Sequence, residues 1–226
     1  MRIMFVGDSQ TVGVAGDFTW RYRMWQHLEA AYDGPYEIVG PRHGLYDRAA
    51  DAPVSHDYAD PAFPRAARAH LAGWGEGWLH MAPVIGDAVR AGRADTLLVA
   101  LGLIDLGFYT DADQTAANVR RFLAAAREAN PRLRAVLLPV IPNTRAETDP
   151  PFAAACERFN ELLAKTVADL SSPTSPLLLA SPPTDYALPH ATYDGTHPNP
   201  HGEHRIAAAF ATALHQAWAV GGPYQH

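Results

Sequence analysis

Short apolar runs separated by longer segments of helical periodicity constrain this chain more than any other feature. "RIMFV" (Arg2 to Val6), "TLLVAL" (Thr96 to Leu101), "RAVLLPV" (Arg134 to Val140) and "PLLLA" (Pro176 to Ala180) have the length of buried strands. Tyr36 to Val39 is a fifth, shorter candidate. Between them, apolar residues recur at helical spacing. Met24, Trp25, Leu28 and Tyr32 share a face of Thr19 to Tyr32, and Val119, Phe122, Leu123 and Ala126 point inward from Asp113 to Ala129. Pro151 to Leu170 is another helix, and Gly202 to Val220, with Ile206, Phe210 and Leu214, is the last. Strands alternating with helices predict an α/β fold, a parallel sheet of about five strands covered on both faces. Pro139 is expected at a strand end or edge. The 226 residues suit one domain over 1–226.

Two stretches are less regular. Trp78 to Arg90 is read as a helix weakened by Pro83 and Gly86. Gly40 to Gly77 scatters Pro, Gly, Asp and His; it is expected to hold short helices and site loops rather than a bare 38-residue loop.

Eighteen basic and 24 acidic residues give a net charge of -6, which argues against a general nucleic-acid surface. Cys156 is the sole cysteine, so no intramolecular disulfide forms, and it is read as a structural thiol on a helix. The first apolar run breaks at Gly7-Asp8 without the pattern of a secretion signal, and no 18-residue apolar stretch occurs. A cytoplasmic protein without a membrane span is the expectation.

Chemistry concentrates at two distant places. "GDS" ends the first strand, so Ser9 would stand at the carboxyl edge of the sheet, where open α/β sheets bind ligands. Asp8 or Ser9 could equally cap a turn or helix. "DGTHPNPHGEHR" precedes the last helix, with Asp194 three residues before His197. In such a loop the carboxylate can orient one imidazole nitrogen while the other takes the Ser9 proton, assistance that a weakly acidic hydroxyl needs. A plain surface turn is the alternative, and His201 and His204 compete for the base role.

"GDSQTVG" and "DGTHPNPHG" together resemble the SGNH hydrolases, also called GDSL-type esterases, over nearly the whole chain. The resemblance implies a three-layer αβα sandwich of flavodoxin-like arrangement, with Ser9 as nucleophile and Asp194 and His197 completing a triad. It also implies oxyanion donors: the Ser9 N–H and a second-motif glycine. "AGWGEGW" looks like that motif, with Gly77 the first choice, Gly75 and Gly73 alternatives, and Gly44 a rival.

The third motif departs from the pattern. The family's Gly-x-Asn-Asp is matched by "GLID", which places Ile104 where an asparagine donor is usual and retains Gly102 and Asp105. Asn143, just beyond a strand, is the candidate replacement donor, ahead of Asn160 and Asn118. Ile104 would shape a pocket wall, Asp105 would brace a loop or pocket, and Arg145 could meet an anionic group. Trp78, with Trp20, Trp25 and Trp74, could line an acyl or sugar pocket or simply pack. The implied activity is hydrolysis of a small-molecule or carbohydrate-linked ester through an acyl-enzyme, with no metal or organic cofactor. An acyltransferase or lactone-forming enzyme, and a non-catalytic binding protein on the same scaffold, are the alternatives.

Overall fold

The computed structural model describes residues 1–225. The strands are β1 (Arg2–Gly7), β2 (Glu37–Ile38), β3 (Leu45–Asp47), β4 (Ala52–Ser55), β5 (Leu71–Ala72), β6 (Thr96–Ala100), β7 (Arg134–Leu138) and β8 (Leu177–Leu179). The main sheet is parallel, in the order β2-β1-β6-β7-β8. Two short segments share one edge of β1. β2 pairs with its start (Arg2 with Glu37), and β5 with its end (Gly7 with Ala72).

Alternation of side chains divides the core in two. Ile3 and Phe5 of β1, Leu98 of β6 and Val136 of β7 face one side; Met4, Val6, Leu97, Val99, Ala135 and Leu137 face the other. Helices α1 (Ser9–Val12) and α2 (Trp20–Ala31) follow β1, and α3 (Trp78–Met81) and α4 (Ile85–Gly92) follow β5. Then come α5 (Ala112–Ala129), α6 (Thr144–Thr148), α7 (Pro150–Leu170), α8 (Leu188–Ala191) and α9 (Pro200–Trp218). α2 packs on α9 over the first face, and α4, α5 and α7 pack side by side over the second. Both faces of each central strand are therefore buried, which is why those strands read as unbroken apolar runs. Under the first face, Trp20 meets Phe5 edge-on at 5.2 Å and stacks on Phe210 at 4.8 Å, locking β1, α2 and α9 together.

The irregular stretch differs from expectation. It holds one 3₁₀ turn (Arg65–Arg68), but its main feature is the antiparallel hairpin β3–β4, together with the short strand β5. Tyr46 ties the hairpin to the chain just after α1: its N–H donates to Gly13 O and its carbonyl accepts from Ala15 N–H, both at 2.9 Å. Trp78 to Arg90 forms two helices, α3 and α4, rather than one. Pro139 lies one residue past the end of β7.

Candidate active site

Ser9 opens α1 directly beyond β1. Asp8 caps that turn by accepting the Gln10 N–H at 2.9 Å. Gly7 is required by close approach, because a Cβ there would lie 1.9 Å from Thr11 Oγ1. As the first residue of α1, Ser9 has an N–H with no carbonyl to bond within that helix. Burial pushes the Asp8 carboxyl up to about 7, against the Gln10 hydrogen bond. Arg21, fully buried, donates to Thr11 O at 2.7 Å and Val12 O at 3.1 Å, bracing the far end of α1. Nothing in the sequence singled out Arg21.

The loop between α8 and α9 folds on itself. Asp194 Oδ1 accepts the N–H groups of Thr196 (3.0 Å) and His197 (2.8 Å), which leaves Oδ2 for His197 Nδ1 at 2.7 Å. His197 Nε2 reaches Ser9 Oγ at 3.0 Å. Asn199 then caps α9, accepting from His201 N–H and Gly202 N–H. Burial raises the Asp194 carboxyl, but the hydrogen bonds from His197 and Thr196 outweigh it and hold the group below its ordinary range. His201 Nε2 accepts from Arg205, and His204 Nδ1 pairs with the Tyr224 hydroxyl, so neither competes for the Ser9 contact.

A cavity of about 690 Å³ opens beside this array, lined by Ser9, Gln10, Asp17, Arg48, Trp74, Tyr193 and His197 among others. Trp74 lies flat on His197, with ring centroids 5.2 Å apart and 7° between planes, and Tyr46 stacks on its other side at 3.9 Å. Among the described residues, no group of three or more His, Cys, Asp or Glu could hold a metal ion. No helix there is long and apolar enough to cross a membrane.

Several anticipated site residues stand elsewhere. Trp78 is fully buried, edge-on to Phe122 at 5.0 Å, so it is a core residue and Trp74 takes the wall position. Asp105 is also fully buried and accepts Trp78 N–H (2.8 Å) and Leu79 N–H (3.0 Å); it braces α3 rather than meeting substrate. Arg145 donates to Gly107 O, pairs with Asp149 and lies over the Phe152 ring, outside the cavity. Ile104, half-buried, does not line the cavity either.

Asn143 is the cap of α6: Oδ1 accepts Ala146 N–H at 3.0 Å and Nδ2 donates to Ile141 O at 3.3 Å. These bonds hold it to its own loop, and it does not line the cavity beside Ser9. Gly77 N–H donates to His80 Nδ1 and Gly73 N–H to Gly7 O, each at 3.1 Å. Gly75, with φ +71°, follows Trp74; none of the three glycines of that segment lines the cavity. Cys156 is buried in α7, and burial pushes its thiol up to about 11, as suits a packing residue.

The chain matches the GDSL-like Lipase/Acylhydrolase family over residues 5–205 and belongs to it. It is a serine hydrolase of the esterase type. No curated protein matches it. Its fold is similar to that of an acetyl esterase mutant crystallised with acetate ion (TM-score 0.76, 23% identity, 96% of this chain and 97% of that one). It is also similar to a carbohydrate esterase family 3 protein from Talaromyces cellulolyticus (TM-score 0.77, 23% identity, 96% and 97%). A family 3 carbohydrate esterase from Clostridium thermocellum is similar as well (TM-score 0.72, 17% identity, 98% and 99%).

Proposed function

We propose that Ser9, His197 and Asp194 are the catalytic triad of an esterase acting on acetyl or other small acyl esters of a carbohydrate or similar polyol. The observation that carries this is the unbroken path from Asp194 Oδ2 to His197 Nδ1 (2.7 Å) and from His197 Nε2 to Ser9 Oγ (3.0 Å). The small acyl group and the carbohydrate alcohol are suggested by the acetyl and carbohydrate esterases that share the fold. An aromatic-edged cavity of about 690 Å³ beside Ser9, mostly apolar but with Gln10, Asp17 and Arg48 on its lining, has room for such an alcohol.

His197 takes the hydroxyl proton as Ser9 Oγ bonds to the ester carbonyl carbon. The electron pair moves to the carbonyl oxygen, held by the N–H of Ser9 and that of a glycine in the Gly73 to Gly77 segment. Collapse of the tetrahedral species breaks the carbon–oxygen bond, and His197 gives its proton to the departing alcohol. Water, deprotonated by the same nitrogen, then attacks the acyl-enzyme and releases the acid and free Ser9. Asp194 keeps the proton on Nδ1 and supports the imidazolium in both halves of the cycle.

The test is intact mass after exposure to p-nitrophenyl acetate, comparing the parent with Ser9→Ala. The parent should gain one acetyl group transiently, and Ser9→Ala, folded, should gain none. An undiminished adduct on Ser9→Ala would overturn the assignment. Initial rates on an acetylated xylo-oligosaccharide against a long-chain p-nitrophenyl ester test the substrate class. A preference for the long chain would overturn it.

A further inference from the structure

We infer that Trp74 is a positioning residue for His197, its indole face fixing the tilt of the imidazole and supporting it as it becomes charged. The inference rests on the triad proposed above. Hydrogen bonds at Nδ1 and Nε2 lie on nearly opposite sides of the ring, so they fix a line through it. Rotation about that line is constrained least by them and most by whatever covers the ring faces. Trp74 supplies that cover, nearly parallel at 7° and centred 5.2 Å away.

The cover is anchored to the nucleophile's own strand rather than to the histidine loop. Gly73 N–H donates to Gly7 O at 3.1 Å, next to Asp8-Ser9, and the Glu76 carboxylate pairs with Arg42 at 2.7 Å. On its outer face Trp74 is backed by Tyr46 at 3.9 Å and 15°, whose backbone is bonded to Gly13 and Ala15 just after α1. The stack Tyr46–Trp74–His197 thus relates the base to Ser9 through two attachments that bypass the Asp194 loop.

The electrostatics favour the same role. The Asp194 side chain is 52% exposed, so solvent screens its attraction for the imidazolium. An indole face adds a further attraction for the cation through its quadrupole, stronger the more the pair is desolvated, and the His197 side chain is less exposed than that of Asp194. Acylation and deacylation both pass through the imidazolium, so the effect falls on kcat whichever step is slower.

Steady-state hydrolysis of p-nitrophenyl acetate tests this with the folded full-length chain. Trp74→Leu should lower kcat roughly 5- to 30-fold, the effect of a lost cation–π contact, with KM within about twofold. Trp74→Phe, which restores a ring face, should recover to within about threefold of the parent. Tyr46→Leu, which does not touch His197, should lower kcat by a smaller factor at constant KM, and it carries the test if Trp74→Leu does not fold. Parental kcat in Trp74→Leu, or in Tyr46→Leu where Trp74→Leu does not fold, overturns the inference. So does a rise in KM alone, or a Trp74→Phe as impaired as Trp74→Leu. Ser9→Ala and His197→Ala run alongside. If either retains turnover, the triad itself is wrong; if both are inactive while Trp74→Leu is not impaired, only the role of Trp74 falls.

Discussion

Gln10 Nε2 donates to Thr196 O at 2.7 Å, joining the residue after the nucleophile to the residue before the base across 186 positions of sequence. Gln10 is buried at the edge of the cavity, and the bond it makes is partly buried. It sets the spacing between Ser9 and His197 where a small slip would break the 3.0 Å contact. Gln10→Ala is expected to lower kcat about 3- to 10-fold, the worth of one hydrogen bond, with a melting temperature lowered by about 2–4 °C at most. Steady-state kinetics and a thermal melt on the same preparation check it; an unchanged kcat would remove Gln10 from this role.

Asn143 illustrates a residue whose chemistry is legible but whose placement is not. An amide beyond β7 is a plausible donor to a site at the sheet edge. The structure turns it to its own loop, with Oδ1 on Ala146 N–H and one Nδ2 hydrogen on Ile141 O. Asn143→Ala should therefore cost about 1 kcal/mol of stability, as loss of a helix cap does, and leave kcat within about twofold. Urea unfolding beside initial rates decides it. A rate loss of about 10²-fold with unchanged stability would return Asn143 to the oxyanion site.

The same distinction runs through the whole comparison of sequence and structure. The central strands are legible because both faces are buried: Met4 to Val6, Leu97 to Val99 and Val136 to Leu138 are apolar throughout and 2% exposed or less. The triad's parts are legible because Asp194 and His197 stand three residues apart in a turn-forming loop, and Ser9 follows a strand-ending glycine. The hairpin β3–β4 is not, because "LYD" and "APVS" are short and half-exposed, and their position depends on Tyr46 bonding to a loop some thirty residues earlier. Nor does "GWGEGW" tell Trp74 from Trp78. The two have the same side chain, and only the start of α3 turns the second onto Phe122 while the loop leaves the first on His197. The capping role of Asn143 was available in principle, since an asparagine just before a short polar helix is a cap signal.

Asp105 and Gly77 form a second pair with a sharp expectation. The Asp105 carboxylate takes two N–H groups of α3 while fully buried, and a Cβ on Gly77 would lie 2.2 Å from its Oδ2. Gly77→Ala should therefore displace the carboxylate and destabilise the fold by about 1–3 kcal/mol, the cost of leaving buried partners unsatisfied. Asp105→Ala should do the same by orphaning the Trp78 and Leu79 N–H groups. The double variant should lose less than the sum, because each removes the same interaction. Urea midpoints of the three variants check this, and simple additivity would refute it.

Glu203 gives a pH dependence with a definite sign. Its side chain is 1% exposed in α9; Oε1 accepts the Thr19 N–H at 2.8 Å, and Arg23 Nε stands 3.5 Å from Oε2. Burial raises its pKa from 4.5 to about 7, with the Thr19 hydrogen bond and Arg23 opposing and Asp17 adding to the rise. Between those two values the native state holds a proton that the unfolded chain has released. The contribution of Glu203 to stability is therefore full below about pH 4.5 and is lost progressively as pH rises to about 7. Glu203→Gln keeps the acceptor for Thr19 N–H but cannot ionise. Relative to the parent, it should gain on the order of 2–3 kcal/mol of stability between pH 4 and pH 8. Asp8, also raised to about 7, titrates in both proteins and cancels from the difference. Urea unfolding of parent and Glu203→Gln at pH 4, 6 and 8 measures that difference directly. A gap that stays constant or shrinks as pH rises would show that Arg23 holds Glu203 charged throughout.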